Sequence, residues 1–486
     1  SDVYKRQLLL VSKEKKQALN FIALFLLVYL VIFLKLGSFH IRWWDESIYA
    51  VNAYEMLHNG NYFLPFFENA PDHLNVKPPF AIWAQLGFIK LFGFNELAVR
   101  LPSAIAAALT VFIAFIFIQK RYGYVMAWLT ALILISSRGF IGFHTARTAD
   151  TDSLLTLFTL IANVWFLKYL ETTNKNHILL FFLFLTFSFS TKMYAALMFI
   201  PAYIIILLRY KKLKQFLFNW QFSFGTLFFF GIAICLLFLR EHYDKGYIAE
   251  TFSQDAGRLF KITLNKEEPF LFYFDNLIQN RFSFWFIPFM IGSLFVINKT
   301  KKNTVLLDIL IFILSFIGVL TVAKTKFYWY DMPIYPYLSI ITAFGLMSII
   351  NNLEATSKRN ITFMIIALFF YPYCLVFQQS QSNIIPNGEK KLESNEQFIF
   401  KRYKEGNTLG NFKVYHAGWK GSLLFYKYKL NEEGIKFDIV NVPDFQISEN
   451  VLVSDDSLFD IIKTKYKIKL LDKENEARLI RIESSI

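Results

Sequence analysis

The sequence predicts a polytopic α-helical membrane protein of about eleven spans, with a large outer first loop and a small C-terminal α+β domain. Three observations support this fold class. Of the 486 residues, 55% are hydrophobic and 19% are aromatic, and the mean hydropathy is +0.38. Apolar runs recur along residues 18–378, and a bilayer core needs roughly 20 such residues per helix. Beyond residue 380, short alternating runs replace them.

The predicted spans are assigned to within a few residues. They are 18–36, 101–118, 123–137, 153–167, 178–190, 193–208, 216–239, 282–297, 304–323, 332–350 and 361–377. Only residues 191–192 separate the spans 178–190 and 193–208, and a re-entrant hairpin is the alternative for this pair. The first span is too long for a signal-peptide core of about 7–15 residues and has no small-x-small cleavage site before Arg42, so we expect it to stay as an anchor.

Basic residues orient the chain. With the tail 1–17 in the cytoplasm, the inner segments hold 18 Lys and Arg in 54 residues, whereas the outer segments hold 15 in 131. This density difference is the positive-inside bias of membrane proteins. It places the first loop, residues 37–100, on the outer face.

The formal net charge of +14 does not indicate nucleic-acid binding. Residues 381–486 carry 17 Lys and Arg against 16 Asp and Glu, so the excess lies in the membrane portion. There it serves topology and attraction to anionic head groups. Cys235 and Cys374 both lie in apolar runs and predict no disulfide framework.

The C-terminal region reads as a separate small domain. Residues 379–388 form a polar linker, and residues 389–486 follow as the domain. Strands are expected at 412–415, 437–440 and 468–471, with a helix at 457–465. Because the number of spans is odd, this α+β domain lies on the outer side.

The unusual charges gather at the outer ends of the spans. They are Asp45, Glu46 and Lys77 in the first loop, Arg147, Asp150 and Asp152 before span four, Lys192 between spans five and six, Arg240 after span seven, and Lys324, Lys326 and Tyr330 after span nine. Charges at the membrane edge are costly and usually functional. Carboxylates beside several cations suit an anionic lipid phosphate and an acceptor that must lose a proton.

Structural roles compete with that interpretation. Asp45 and Glu46 could favour the N-terminus of a helix from about Ser47, and Asp150 and Asp152 could cap span four. Lys77-Pro78-Pro79 could be a rigid turn before a helix from Phe80. Lys192 could extend its ammonium to the interface, and Lys324 and Lys326 could be flanking charges. Adjacent helical residues do not share a face, so one member of the Asp45-Glu46 pair is expected to do chemistry and the other to support it.

An ordered series of motifs then carries a family resemblance. Asp45-Glu46 is followed by Glu55-Met56-Leu57-x-x-Gly60, Lys77-Pro78-Pro79, Phe92-Gly93, Arg100-Leu101-Pro102-Ser103, Arg147-Thr-Ala-Asp150-Thr-Asp152, Thr191-Lys192, Arg240-Glu241-His242 and Lys324-Thr-Lys326-Phe-Tyr328-Trp-Tyr330. Over residues 18–378 this order resembles the bacterial C-type glycosyltransferases. The group includes protein O-mannosyltransferases and the aminoarabinose transferase of lipid A modification (family 39-like), with 11–13 spans.

The resemblance implies transfer of a hexosyl or pentosyl group from a polyprenyl-phosphate donor to a lipid, protein or glycan acceptor, with inversion, at the outer face of the bacterial inner membrane. Asp45 would be the general base and Glu46 its support. The donor phosphate would be held by cations and a tyrosine, namely Lys77, Lys192, Arg240, Lys324, Lys326 and Tyr330. Arg147, Asp150 and Asp152 would support the acceptor side. The implied partners are the donor, the acceptor and membrane lipids, with no nucleic acid.

One position departs from the family pattern. The aminoarabinose transferase has a metal-associated acidic residue just before its Lys-Pro, where this chain has Val76. His58, His73 and His144 show no ligand spacing either. We therefore assign no metal ligand and no certain cofactor, and leave a divalent metal open.

Two other classes compete with an enzyme. A secondary transporter would place its polar residues near mid-membrane in broken or repeated helices, whereas here they lie at one face. A non-catalytic envelope-assembly protein would work through its C-terminal domain and would not need the first-loop motifs.

Overall fold

The computed structural model describes residues 2–142, 144–172, 174–254, 256–261, 268–298, 304–351, 355–382, 392–406 and 410–486. The membrane portion is a bundle of long apolar helices. They are Asp2–Val28, continued by a π-helical turn Tyr29–Phe33, then Glu96–Ile135, Asp152–Thr172, Asn176–Lys192, Ile200–Arg209, Trp220–Tyr243, Ser283–Asn298, Thr304–Val322, Tyr335–Asn351 and Ala355–Gln381. The polytopic helical class predicted from the sequence is confirmed.

The predicted spans 101–118 and 123–137 form a hairpin within Glu96–Ile135. Gly123 has φ 85° and ψ 177°, which breaks the helix at a conformation that glycine adopts without steric cost. The rings of Phe115 and Trp128 lie 5.5 Å apart. Thirteen residues of straight helix would separate them by about 20 Å, so the chain reverses direction at Gly123.

The short pair 178–190 and 193–208 also forms a hairpin. Asn176–Lys192 ends at Met193, which has φ 34°, and a 3₁₀ turn Met193–Leu197 leads into Ile200–Arg209. Phe181 and Tyr203 stack edge-on at 5.0 Å across the hairpin. Lys192 therefore sits at its tip.

All eleven predicted segments fall on helices, but not all are long enough to cross a bilayer alone. In the described part of the chain, seven helices are long and apolar enough to cross, or eight if the bent pair Phe272–Arg281 and Ser283–Asn298 counts as one span. The hairpin Glu96–Ile135 is counted once in that number. Ile200–Arg209, with 10 residues, is among the shorter apolar helices.

The segments between the long helices carry short elements. The first loop holds the helices Asp45–Asn59 and Phe80–Phe92 and the two-stranded ribbon of Phe66–Phe67 with Ala70–Pro71. Later segments hold Arg138–Ile141, Leu213–Leu217, Tyr247–Gln254, Ala256–Leu259, Phe272–Asn276, Leu277–Arg281 and Tyr328–Ile334. Leu213–Leu217 follows the basic residues Lys211 and Lys212 and contains Lys214.

The C-terminal domain is α+β, as predicted. Its five-stranded sheet has the spatial order Phe437–Val440, Phe412–Tyr415, Asn450–Val453, Ala477–Ser485, Tyr466–Glu474. The first three strands are parallel to one another, and Ala477–Ser485 is antiparallel to both of its neighbours. Its helices are Ser394–Lys404, Gly421–Glu432 and Asp456–Lys465. Most of the predicted linker lies outside the described residues, which resume at 392.

This domain packs directly on the first loop. The Lys429 ammonium donates to Glu96 at 2.7 Å, with both side chains buried. The Tyr428 hydroxyl donates to Glu55 at 2.6 Å. A Cβ at Gly421 would lie 2.7 Å from Ser47 Oγ, so the helix Gly421–Glu432 contacts Asp45–Asn59 at a distance that only glycine allows.

Candidate active site

A cavity of about 630 Å³ lies at one end of the helix bundle, where the first loop meets later connecting segments. Its wall combines one carboxylate of the first loop with several cations and aromatic rings. The lining residues include Trp43, Trp44, Asp45, Lys77, His144, Lys192, Arg258, Lys326, Tyr328, Trp329 and Tyr330. The chain thus brings together Asp45, Lys77, Lys192, Lys326 and Tyr330 from the predicted set.

Asp45 is the reactive candidate. It begins the helix Asp45–Asn59, and its carboxylate accepts no hydrogen bond from any residue in the described part of the chain. Burial on its own would raise the pKa of Asp45, but Lys77, His144, Lys192 and Arg258 together hold that pKa below its usual value. The carboxylate is therefore ionised and open to the cavity.

Glu46 has the opposite environment. It is 1% exposed and forms a bidentate pair with Arg100, at 2.8 Å to Nε and 2.9 Å to Nη2. It also accepts from the backbone N–H groups of Arg42 and Ala149. Burial would raise the pKa of Glu46, and Arg100 with these donors lowers it overall. Glu46 thus links the start of the helix Asp45–Asn59 to Arg100 and to the backbone at Ala149. None of these partners lines the cavity.

Two lysines face the cavity from different elements. The Lys77 ammonium lies 2.6 Å from the Tyr49 hydroxyl, one helical turn beyond Asp45. Lys192, at the tip of its hairpin, donates to both oxygens of Asp152 at 2.7 Å. Asp152 therefore orients Lys192 at the base of the cavity.

An apolar groove of about 380 Å³ adjoins the cavity. Lys192, Arg258 and Tyr330 line both spaces. The rest of the groove is mostly aliphatic and aromatic, with Leu155, Tyr194, Leu197, Met198, Ile200, Pro201, Val319, Leu320 and Ala323. The polar head of a ligand at the shared residues would have its apolar tail in the groove.

Three predicted residues lie elsewhere. Arg240 is buried outside the cavity wall and donates to the Asp72 backbone oxygen at 2.7 Å, so it supports the first loop. Arg147 donates to the carbonyls of Val31, Ile32 and Leu34 at the end of the first span. The Lys324 side chain is exposed, whereas Lys326 lines the cavity. Spacing along the chain could not separate these cases, because each depends on the fold of a long outer segment.

The cavity residues that the sequence did not reveal include Arg258, His144 and a second carboxylate, Glu268. Arg258 follows Tyr247–Gln254 in a polar segment without a motif, and its guanidinium lies 2.5 Å from the Tyr330 hydroxyl. His144 stacks on Trp329 at 3.9 Å and pairs with Asp150 at 3.1 Å. His144 has φ 57°, in the left-handed region that few residues other than glycine adopt. A histidine six residues before a carboxylate gave no signal of ligand spacing.

Within the part of the chain that the structure describes, one group of side chains could hold a metal ion. Asp45, His144 and Asp150 each offer one ligand atom, and these atoms lie within 4.8 Å of one another. Val76 is buried and offers its backbone oxygen to Tyr247 at 2.8 Å. The position before Lys77 is thus part of the packing.

The residue before Asp45 is held in an unusual conformation. Trp44 has φ 77° and ψ −118°, outside the regions that residues with side chains favour. Its ring packs at 4.8 Å on Trp419 of the C-terminal domain. Glu393 of that domain accepts from the Trp43 backbone N–H at 2.8 Å and from His40 at 2.9 Å. The C-terminal domain therefore fixes the segment that leads into Asp45.

The chain is similar to known membrane proteins in sequence and in fold. Residues 76–238 match the family model described as dolichyl-phosphate-mannose-protein mannosyltransferase. A protein of Aquifex aeolicus is 27% identical over 356 residues, which are 71% of this chain and 67% of that protein. The undecaprenyl phosphate-α-4-amino-4-deoxy-L-arabinose arabinosyl transferase of Pseudomonas savastanoi is 35% identical over 146 residues, 30% of this chain and 26% of that enzyme.

A putative mannosyltransferase of Bacillus subtilis, YycA, is 26% identical over 177 residues, covering 36% of this chain and 25% of that protein. The chain thus spans about a quarter of these two named relatives. Among solved structures, ArnT from Cupriavidus metallidurans bound to undecaprenyl phosphate superposes with a TM-score of 0.71, at 12% identity over 95% of this chain and 97% of that one. The resemblance seen in the sequence motifs is confirmed, and the whole fold is ArnT-like.

Proposed function

We propose, on the premise of this glycosyltransferase similarity and fold, that the protein transfers a sugar from a polyprenyl-phosphate donor to a hydroxyl-bearing acceptor at the outer face of the membrane. One observation carries the proposal. An ionised carboxylate without a hydrogen-bond partner among the described residues faces a cavity whose cations continue into an apolar groove. This arrangement suits a phosphate head with a long hydrocarbon tail.

The donor phosphate binds where the two spaces meet. Lys192 and Arg258 line both of them, and Lys77 and Lys326 complete the positive wall. Preorganised cations in a site of low dielectric stabilise charge that develops as a bond breaks. The donor phosphate is therefore held where its negative charge grows.

The transfer is a single displacement. The Asp45 carboxylate takes the proton of the acceptor hydroxyl, and the acceptor oxygen forms its bond to the anomeric carbon. The bond from that carbon to the phosphate oxygen breaks, and its electron pair leaves with the polyprenyl phosphate. One displacement inverts the anomeric centre. General-base assistance is worth roughly 10²–10⁴-fold in rate.

The sugar is a hexosyl or pentosyl group and the acceptor a lipid, protein or glycan. A divalent cation, where one takes part, would be held by Asp45, His144 and Asp150, the group whose ligand atoms lie within 4.8 Å of one another. Loss of activity after dialysis against EDTA, with recovery on adding Mn²⁺, would support that cation. Unchanged activity would exclude an exchangeable one.

A membrane assay with radiolabelled polyprenyl-phosphate sugars tests the proposal. Label should move from the donor to lipid, protein or glycan. Asp45→Asn should lower turnover by roughly 10²–10⁴-fold, because it removes the proton acceptor and keeps the size. Lys77→Ala should weaken donor binding instead, and Asp460→Asn, on the exposed surface of the C-terminal domain, is the matched control.

Folded Asp45→Asn protein that still transfers sugar at the wild-type rate would remove Asp45 from the role of base. Uptake of donor lipid across vesicles without sugar transfer would favour a transporter. No movement of label from any polyprenyl-phosphate sugar, in protein that binds none of them, would favour the non-catalytic assembly role.

A further inference from the structure

Lys77 lines the cavity from a part of the first loop that has no regular secondary structure. Residues 72–79, between the strand Ala70–Pro71 and the helix Phe80–Phe92, form neither helix nor strand. We propose that Asn52 is a positioning residue of the transfer reaction, which holds Lys77 against the helix Asp45–Asn59 at the place of the donor phosphate. The inference rests on the proposed function, because it concerns a cation that this function assigns to the donor.

A chain of hydrogen bonds joins Asn52 to the backbone of Lys77. The Asn75 side chain donates to Asn52 Oδ1 at 2.8 Å, and its own Oδ1 accepts from the Lys77 backbone N–H at 3.1 Å. Asn52 and Asn75 are both buried. Because Lys77 precedes Pro78, its backbone is restricted to extended conformations. Asn52 therefore reaches the Lys77 backbone through one intermediate side chain.

The polar atoms of the Asn52 side chain are paired on both sides. Its amide nitrogen donates to Asp72 Oδ2 at 2.9 Å and to the Phe66 backbone oxygen at 2.8 Å, and its oxygen accepts from Asn75. Asp72 Oδ1 also accepts from the Asn75 backbone N–H at 3.3 Å. A buried amide is costly unless it is hydrogen-bonded, and a fully paired buried network fixes one arrangement of its members. The network thus determines the course of the chain from Asp72 to Lys77.

The same helix also holds the ammonium of Lys77. Asp45, Tyr49 and Asn52 follow one another at intervals of four and three residues, so they lie on one face of the helix Asp45–Asn59. The Tyr49 hydroxyl lies 2.6 Å from the Lys77 ammonium, and Asn52 fixes the Lys77 backbone through its neighbour. A shift of this segment would move the ammonium away from the face that carries Asp45. One helix thus carries the base and holds a phosphate cation beside it.

Two further contacts hold the backbone of the segment before Lys77. Arg240 donates to the Asp72 backbone oxygen at 2.7 Å, and the Tyr247 hydroxyl donates to the Val76 backbone oxygen at 2.8 Å. Neither contact involves the side chain of Asn52. We therefore expect the segment to stay attached when Asn52 is replaced, and to shift rather than unfold. The effect of such a replacement is then on the place of the Lys77 ammonium.

Binding of undecaprenyl phosphate to the full-length detergent-solubilised protein tests this role. Asn52→Leu keeps the approximate size of the side chain and removes its hydrogen bonds. It should weaken binding roughly tenfold, because Lys77 is then displaced from the phosphate. Lys77→Ala should weaken binding roughly 10- to 100-fold, as expected for the loss of a hydrogen bond between charged groups. Asn163→Leu is the matched control and should leave binding unchanged, since it removes an equally buried asparagine that bonds Tyr203 and Tyr337 inside the bundle.

A double-mutant cycle separates positioning from a general loss of folding. If Asn52 acts through Lys77, Asn52→Leu should have no further effect on binding in protein that already carries Lys77→Ala. In turnover of the radiolabelled donor that wild-type protein uses, Asn52→Leu should raise the donor KM, whereas a loss of folded protein lowers kcat alone. Asn75→Ala cuts the same link one side chain nearer to Lys77. It should reproduce both results, and it carries the test if Asn52→Leu protein does not fold.

An equal loss of binding from Asn52→Leu in the presence and in the absence of the Lys77 side chain would overturn the positioning role, because the effect would not pass through Lys77. Wild-type binding in folded Asn52→Leu or Asn75→Ala protein would overturn it as well, and so would an equal loss in Asn163→Leu protein. These outcomes leave the proposed donor site intact when Lys77→Ala weakens binding. Wild-type binding in Lys77→Ala protein would instead contradict the donor site itself.

Discussion

At the scale of single residues, two neighbouring carboxylates take opposite roles. Asp45 faces a cavity of cations, whereas Glu46 is buried against Arg100 and two backbone donors. Successive helical residues point in different directions, so this division was predicted from the sequence. Which carboxylate faces the cavity was implied by the family resemblance alone.

Glu46→Gln should therefore act on stability more than on chemistry. It leaves the Arg100 guanidinium buried without its counter-charge, and breaking a buried pair costs about 3–5 kcal/mol. Thermal unfolding of the purified protein should show the loss. Glu171→Gln, which breaks the more exposed pair with Arg121, should cost no more than about 1 kcal/mol. Equal losses in the two variants would contradict the structural role of Glu46.

Of the residues predicted for the site, some line the cavity and others lie outside its wall. Lys77, Lys192 and Lys326 line the cavity. Arg240 and Arg147 instead donate hydrogen bonds to backbone carbonyls. Hydropathy locates a charge at a membrane edge, but it does not indicate the direction of the side chain. His144 and Arg258 reach the cavity through irregular segments, for which the sequence has no periodicity to read.

At the scale of elements, the C-terminal domain packs on the first loop and holds the segment before Asp45. Trp419 packs on the strained Trp44, and Glu393 binds the backbone of Trp43. The strands at 412–415 and 437–440 and the helix near 457–465 were predicted closely, because alternation and periodicity are local patterns. The docking of the domain was not predicted, since its contacts join residues more than 300 positions apart.

Trp419→Ala should lower turnover while donor binding stays close to wild type, because it frees Trp44 next to Asp45 and leaves the donor cations in place. Hydrogen exchange should rise in residues 40–60. Trp419→Phe should restore most of the activity, and Trp220→Ala, at a 63% exposed ring in the membrane portion, should change neither readout. Wild-type turnover in Trp419→Ala protein would show that this contact of the C-terminal domain does not affect the reaction.

At the scale of the whole molecule, the cavity, the groove and the C-terminal domain all lie at one end of the bundle. The basic loops lie at the other end. There Arg121 forms an ion pair with Glu171, and the Lys212 ammonium donates a hydrogen bond to the Leu170 backbone oxygen. This segregation was predicted from charge density. The apolar hairpins were harder to predict, because a turn as short as that at Gly123 leaves almost no polar gap.

Reporter fusions test the orientation. An enzyme active only outside the cytoplasm should work when fused after residue 100, 150 or 260 and fail after residue 121 or 212, because positively charged loops stay inside. Full-length expression of each fusion is the control. Reporter activity after residue 212 together with no activity after residue 260 would mean that the predicted orientation is wrong. The cavity would then face the cytoplasm.

The contact between Glu393 and the first loop can form only late in synthesis of the chain. The Trp43 backbone and its Glu393 partner are 350 positions apart. At a synthesis rate of about 5–20 residues per second, the ribosome needs on the order of 20 to 70 seconds to travel from one to the other. Throughout that interval the segment before Asp45 lacks its anchor. We therefore expect the segment before Asp45 to reach its final conformation only after the C-terminal domain has been synthesised.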